Sequence, residues 1–347
     1  MESIMHNIDK SNGRDNIAFL GSRNNIWHRL GHEMTEGMTI EEWQAKSGLD
    51  WSAVKVPAVA DCSGLGLGLG MVPIEDRSFI MRSDTGGMLG YVSGDDESNG
   101  YKIVQPSELF HYFERYLAVD SRYSLDTAMS LKDGRLIVVT AKFDDGHGLK
   151  VLGEDHKART IMSTTFDGSD ATRNFMSMVR VVCNNTFDAA ITDSRAMVTT
   201  RHSTKFDAAK AAKELANMAK SIESYRLMAE SMVSIELSNQ DIAAFFRACL
   251  DIPASATRDD ISTKKANQFE ALGEAYKSTL QEGTDRNTAW AAFNAVTRYA
   301  DHDKTTRNGN SVEEAKFLSS QFGSGKALKG KAFNLLLPDW SKVALAA

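Results

Sequence analysis

The chain has 347 residues, a formal net charge of −6, 42% hydrophobic residues and 25% charged ones. That length can bury a large core and divide into two domains, and the acidic total excludes a polycationic body that binds nucleic acid over its whole surface. Five prolines argue against long disordered linkers, and three cysteines, at Cys62, Cys183 and Cys249 with no Cys-x-x-Cys pair, argue for reduced thiols and against a zinc site.

No apolar run is long enough to span a membrane, and the N-terminal MESIMHNIDKSNGRD has no signal-peptide core, so a cytoplasmic chain is expected. Residues 1–25 are polar and read as a flexible arm. In Ile26-Trp27-His28-Arg29-Leu30-Gly31-His32, the two histidines stand four apart, as ligands on one helix face would. The HExxH order is missing and Gly31 weakens a helix, so Trp27 and Leu30 read better as an anchoring plug and no metal is expected. Thr39 caps a short helix through Glu41, Glu42 and Trp43 that ends at Gly48. A strand follows at Ala53–Val59.

Gly64-Leu65-Gly66-Leu67-Gly68-Leu69-Gly70 fails the GxGxxG spacing and has no strand–helix frame. Alternating glycine and leucine suits a mobile strand or hairpin arm instead, with a wedge or an oligomer contact as its possible use. Short strands are expected at Ser78–Arg82, Met88–Val92 and Tyr101–Val104, with Asp84-Thr85-Gly86-Gly87 as the first turn. The acidic loop from Ser93 to Gly100 is a weak cation site. Pro106 and Ser107 open a helix with one apolar stripe. Leu125–Leu131 and Arg135–Phe143 form a hairpin across Lys132-Asp133-Gly134, with Ile137, Val139, Ala141 and Phe143 on its buried face. Thr160–Phe166 is a further strand.

Ser177–Cys183 reads as a strand, Asn184-Asn185-Thr186 as the entry to one or two helical turns, and Arg195–His202 as a second strand. From Arg173 to Lys205 the bases Arg173, Arg180, Arg195, Arg201 and Lys205 face only Asp188 and Asp193. Alternation puts Arg195, Thr199 and Arg201 on one face of the second strand. Such a basic, hydroxyl-bearing face fits phosphate, and it equally fits a charged edge that resists aggregation. Cys183 reads as a buried small hydrophobe on the Val179 and Val181 face.

Beyond Phe206 the period becomes helical. Helices are expected at Phe206–Ile235, Asn239–Leu250, about Lys264–Gln281, Asn287–His302, Val312–Gln321 and Ala327–Leu336, with Pro253–Asp260 as a linker. Met218, Met228 and Met232 read as core filler. The fold class is therefore α+β: an antiparallel β-rich body over residues 26–205 followed by a helical region over 206–347.

Gly325-Lys326-Ala327-Leu328-Lys329-Gly330-Lys331 has the GxxxxGK skeleton of a phosphate loop, but Ala332 stands where a hydroxyl should hold magnesium. ATP binding is rejected there, and Lys326, Lys329 and Lys331 are left as a cationic helix start or a solubilising surface. Trp290, Asn294, Arg298 and His302, four apart, read as a polar seam packed internally or as a catalytic row. No nucleophile–base pair can be assembled, since His202 and Ser203 are adjacent on a strand and point apart. No catalytic residue and no cofactor is assigned.

RVVCNNTFDAA followed by TTRHSTK resembles the phage/plasmid-like proteins grouped as domain of unknown function 932, found in prophages and on conjugative plasmids. NIWHRLGHEMT, AMSLKDGRLIVVTAKF, TAWAAFNAVTRYADHD and FGSGKALKGKAF extend the resemblance along most of the chain. The family brings no established enzymatic role. The mobile-element character and an arginine-bearing sheet together lead to an expectation of single-stranded nucleic-acid binding, as in a DNA-annealing or recombination protein that forms a homo-oligomer. The alternative is a host-defence antagonist acting on a host protein through protein contacts.

Overall fold

The computed structural model describes residues 8–21, 31–93, 100–119, 122–143, 149–151, 154–180, 185–188, 197–204, 207, 218–281, 287–304, 319–320 and 323–336. Its strands are β1 Ile17–Leu20, β2 His32–Met34, β3 Ala53–Asp61, β4 Met71–Arg82, β5 Met88–Ser93, β6 Tyr123–Leu131, β7 Leu136–Phe143, β8 Leu149–Val151, β9 Glu154–Thr165, β10 Thr172–Arg180, β11 Asn185–Asp188 and β12 Met197–Thr200. The helices are α1 Ile40–Ser47, α2 Pro106–Val119, α3 Met218–Ser234, α4 Asn239–Cys249, α5 Thr263–Gln281, α6 Ala289–Arg298 and α7 Ser324–Leu336. The β-rich half followed by helices is an α+β fold.

The strands make two sheets. One has nine strands in the order β11-β10-β9-β7-β6-β1-β2, with β12 also on β10 and β8 also on β9; the other is β3-β4-β5. Among the described residues only β1 and β2 run parallel in the large sheet. Its centre is β7, where Ile137, Val138 and Val139 are all fully buried. A strand with apolar residues at consecutive positions buries both faces. Ile137, Val139 and Ala141 join the core that α1 and α2 cover with Trp43, Leu109, Phe110 and Phe113, while Leu136 and Val138 join Ile8, Ile17, Met129, Ile161 and Phe175 on the other side. The hairpin expected across Lys132-Asp133-Gly134 is present, with φ of 53°, 58° and 91°.

The larger core continues without a break into the helices through Tyr225, Met228, Met232, Trp290, Phe293 and Phe333. Local signals set the helix ends. Thr39 accepts from the Glu42 amide and Glu42 returns the bond, while Gly48 closes α1 at φ 65°. Ser238 and Asp241 repeat the device at α4. The Pro253–Asp260 stretch is a mostly exposed connection, anchored in its first half where the Arg247 guanidinium donates to the Pro253 and Ala256 carbonyls at 2.8 and 3.0 Å.

Several expectations change. Residues 8–21 are no arm: Ile17, Ala18 and Phe19 are fully buried as β1 inside the large sheet. Residues 101–104 form no strand, and 185–188 are strand β11 rather than helix, because the open edge of β10 offers Asn185–Asp188 a backbone ladder. β4 begins at Met71, seven residues before the expected Ser78, and the glycine–leucine run is the tip of the β3–β4 hairpin. Trp27, His28, Cys183, Arg195, Lys205 and most of the expected Val312–Gln321 helix lie outside the described residues.

A buried ion cluster ties these parts together. The Arg82 guanidinium is held by both Asp84 oxygens at 2.9 and 2.7 Å, by Asp9, and by Ser11 at 2.8 Å, and it lies 4.5 Å from the Trp51 ring centroid. The Asp9 carboxylate also accepts from Asn16 and Ser130 at 2.9 Å. Burial works against that carboxylate, yet the Ser11 hydrogen bonds and the Arg82 charge outweigh it and keep its pKa below the ordinary value. The small sheet, the N-terminal segment and the β6–β7 hairpin are thereby fixed to one another.

Candidate nucleic-acid interface

The β10–β12 ladder brings two of the expected arginines together. Arg173 stands opposite Thr199 in β12. Arg201 lies one residue past the end of the ladder; continuing the alternation would set it on the face of Arg173, diagonal to it. Arg201 is exposed and makes no ion pair among the described residues. Arg173 is held by Asp170 at 2.7 Å, a carboxylate in the turn before β10.

Beside them lies an aromatic pair. The His202 ring stacks on Tyr101 at 4.2 Å with an interplanar angle of 13°. Its Nδ1–H donates to the Lys102 carbonyl at 2.9 Å, and the Lys102 amide donates back to the His202 carbonyl at 2.5 Å. The Tyr101 hydroxyl donates to the Thr165 carbonyl at 2.6 Å. Burial lowers the imidazole pKa below its ordinary value, against the pull of the Lys102 and Asp170 carbonyls and the Asp170 and Asp167 carboxylates; burial raises that of the Tyr101 phenol. His202 is therefore a neutral ring that closes the corner, and Arg201 is its outward neighbour.

Of the other expected cations, Arg195, Lys205 and the Arg180 side chain lie outside what the structure describes. Residues 324–336 form one helix, so the GxxxxGK run has no phosphate-cradling loop. Its lysines part company. Lys326 Nζ lies 4.1 Å from the Phe175 ring centroid, and Lys331 pairs with Asp251. Lys329 is fully buried, donating to Asp301 at 3.1 Å and Ser320 at 3.0 Å. It was expected on a phosphate-binding surface and belongs instead to an internal ion pair, because α7 packs the side of the helix that carries Lys329, Ala332 and Phe333. Elsewhere on the large sheet Arg159 pairs with Asp126 at 2.6 Å and Lys142 with Glu36 at 3.9 Å. Among the described side chains the sheet is thus a mixed-charge surface, and Arg201, one residue past β12, is an exposed cation beside it.

Trp290 and Asn294 are buried, and Asn294 Nδ2 donates to the Trp290 carbonyl at 3.0 Å, the internal seam expected of them. Burial pushes the Cys249 thiol up to about 12, which leaves no thiolate at neutral pH. Among the described residues no group of three or more His, Cys, Asp or Glu is gathered as for a metal ion, and no helix is long and apolar enough to cross a membrane.

The Arg82 cluster was missed from sequence. Its one signal was parity, since Arg82 shares a strand face with the buried Ile80. The Tyr101–His202 pair joins residues a hundred positions apart and left no local trace.

No curated protein and no solved structure matches the chain. Residues 95–321, more than half of it, match the family described as "Domain of unknown function (DUF932)". That span contains Tyr101, Arg173, Arg201 and His202, and the chain belongs to the DUF932 family.

Proposed function

We propose that the protein binds single-stranded nucleic acid in the host cytoplasm, in the service of a phage or plasmid, and that the contact centres on the Arg173–Arg201 corner. The observation that carries the reading is Arg201, an exposed arginine without an ion partner among the described residues, beside the carboxylate-positioned Arg173 and the Tyr101–His202 ring pair. Arginines that track a backbone beside aromatic rings are the ordinary means of holding a strand without reading its sequence. Asp170 already pairs with Arg173, and a phosphate must share or displace that carboxylate, so modest affinity is expected. Annealing of complementary strands would be the use of such binding in a mobile element.

Fluorescence anisotropy with a labelled unstructured oligonucleotide tests this. The wild-type protein should bind, and Arg201→Gln should weaken binding evenly across sequences, since phosphate contacts carry no base information. Wild-type protein that binds no oligonucleotide at low salt contradicts the reading.

A second reading, antagonism of host defence through protein contacts, draws on the net charge of −6 and on the apolar outward side of the small sheet. A stoichiometric complex with a host protein, formed by a chain that binds no oligonucleotide, would select it.

A further inference from the structure

A sheet with one face on a core and the other in water normally alternates apolar inward with polar outward. The sheet β3-β4-β5 does not. Its inward face carries Ala53, Ile80 and Arg82, and it packs so closely on the β9–β10 turn that a Cβ at Gly90 would lie 2.2 Å from the Phe166 carbonyl oxygen. The outward face is a grid of two cross-strand rows. Val54, Met81 and Met88 form one, and Val56, Phe79 and Tyr91 the other.

Within the grid Val54 is 46%, Val56 42%, Met88 60% and Tyr91 46% exposed. The same apolar character runs on along the hairpin arm to Leu65, Leu67 and Met71, which are 64%, 70% and 65% exposed. Nearly every exposed large hydrophobic side chain of the described residues belongs to this one element; Leu335 is the exception.

We propose that this outward face is a docking surface for a second copy of the same chain, packed face to face about a two-fold axis. The inference does not rest on the nucleic-acid reading. Size is the first argument. At about 150–200 Å² for a fully exposed residue of this kind, these exposed residues present on the order of 600–800 Å² of surface. A monomer's largest patch is about 300–600 Å², whereas one side of a standard interface is about 800 Å².

Self-complementarity is the second argument. The six grid side chains are uncharged, so two copies meet there without like charges in direct contact, and the Arg77 guanidinium lies 5.9 Å from the Tyr91 ring centroid at the grid's edge. Its rim is the β4 bulge with Glu75, Asp76 and Arg77, where both signs occur together; such a rim can satisfy its own copy, as an isologous contact requires. The third argument concerns the edge. Pro57 in β3 and Pro73 in β4 remove ladder donors along the arm, which disfavours strand addition by an extended peptide and leaves the face as the contact.

The test is the mass of the full-length protein by sedimentation velocity from about 1 to 50 μM, for wild type and for Val56→Glu/Tyr91→Glu. Both positions are half exposed, and circular dichroism checks that the variant folds. Wild type should run as a dimer, twice 38.1 kDa. The double variant should dissociate with a dimer Kd raised at least ~100-fold, because each copy would bury unpaired carboxylates. Should it fail to fold, Tyr91→Ser, which removes the ring without adding charge, is read the same way with a rise of ~10-fold expected. A wild-type monomer at 50 μM, an assembly larger than two, a dimer indifferent to these changes, or a face occupied only by a different protein overturns the proposal. Oligonucleotide binding measured on the same samples distinguishes its failure from a failure of the nucleic-acid reading.

Discussion

The two sheets of this molecule use the same residue types to opposite ends. In β7 of the large sheet the valines and isoleucine at 137–139 are fully enclosed, one face under α1 and α2 and the other among Ile8, Ile17 and Phe175. In β3 of the small sheet Val54, Val56 and Val59 are 46%, 42% and 42% exposed. β-branched residues form strands in both cases; only the first set stabilises the monomer by burial. The difference teaches that an apolar strand pattern identifies a strand and leaves open what covers it. Here the large sheet is the scaffold, and the small one holds unspent contact area.

The joint between the two sheets should be the most sensitive point. Asp9→Ala leaves the buried Arg82 guanidinium without its buried carboxylate partner, with only Ser11 and Asp84 remaining, and removing one member of such a pair costs about 3–5 kcal/mol. Denaturant unfolding should show that loss. A cost below about 1 kcal/mol would mean that Asp84 alone holds the charge and that the sheets are less firmly joined.

Ile137→Ala against Val56→Ser probes the comparison itself. The first empties a fully buried site and should cost about 2–5 kcal/mol. The second changes a half-exposed outward position and should stay within about 0.5 kcal/mol when measured on dissociated protein. Equal costs would show that the outward face is covered within the monomer.

The smallest effect is a pH dependence at the candidate interface. The folded His202 has a lowered pKa, whereas an unfolded histidine titrates near 6.5. Between those values the unfolded chain binds the proton first, so stability is lost as pH falls below about 6.5 toward the folded pKa. His202→Asn should flatten that part of the stability profile, read as the denaturant midpoint at pH 7 and pH 5.5. An unchanged profile would place the acid sensitivity elsewhere.

Much of the scaffold was legible. The Thr39 and Ser238 caps, the Asp-Gly turn at 133–134 and the helical period from α4 to α6 are local signals, written within a few residues of the structure they specify. Charge was the least legible property. Arg82, Lys329 and Arg201 look alike in sequence, yet the first two are buried with their carboxylates and the third is exposed. What separates them is a partner far along the chain: Asp9 for Arg82 and Asp301 for Lys329. The candidate interface suffered in the same way. Its arginines were read from one stretch, but Tyr101, which completes the corner, arrives from across the fold. β11 was misread for a related reason, since Asn and Thr suit a helix cap locally and the open edge of β10 decides for strand.

The measurement that bears most directly on the proposed function is the salt dependence of oligonucleotide affinity, wild type against Arg173→Gln/Arg201→Gln. Each phosphate contact releases counterions, so log K should fall with log salt for the wild type, and the double variant should lose about 0.7–1 unit of slope per arginine. Arg201 is exposed and Arg173 half-buried against Asp170, so circular dichroism checks that the double variant keeps its fold. A double variant that binds with the wild-type affinity and slope would contradict the assignment of this corner as the contact.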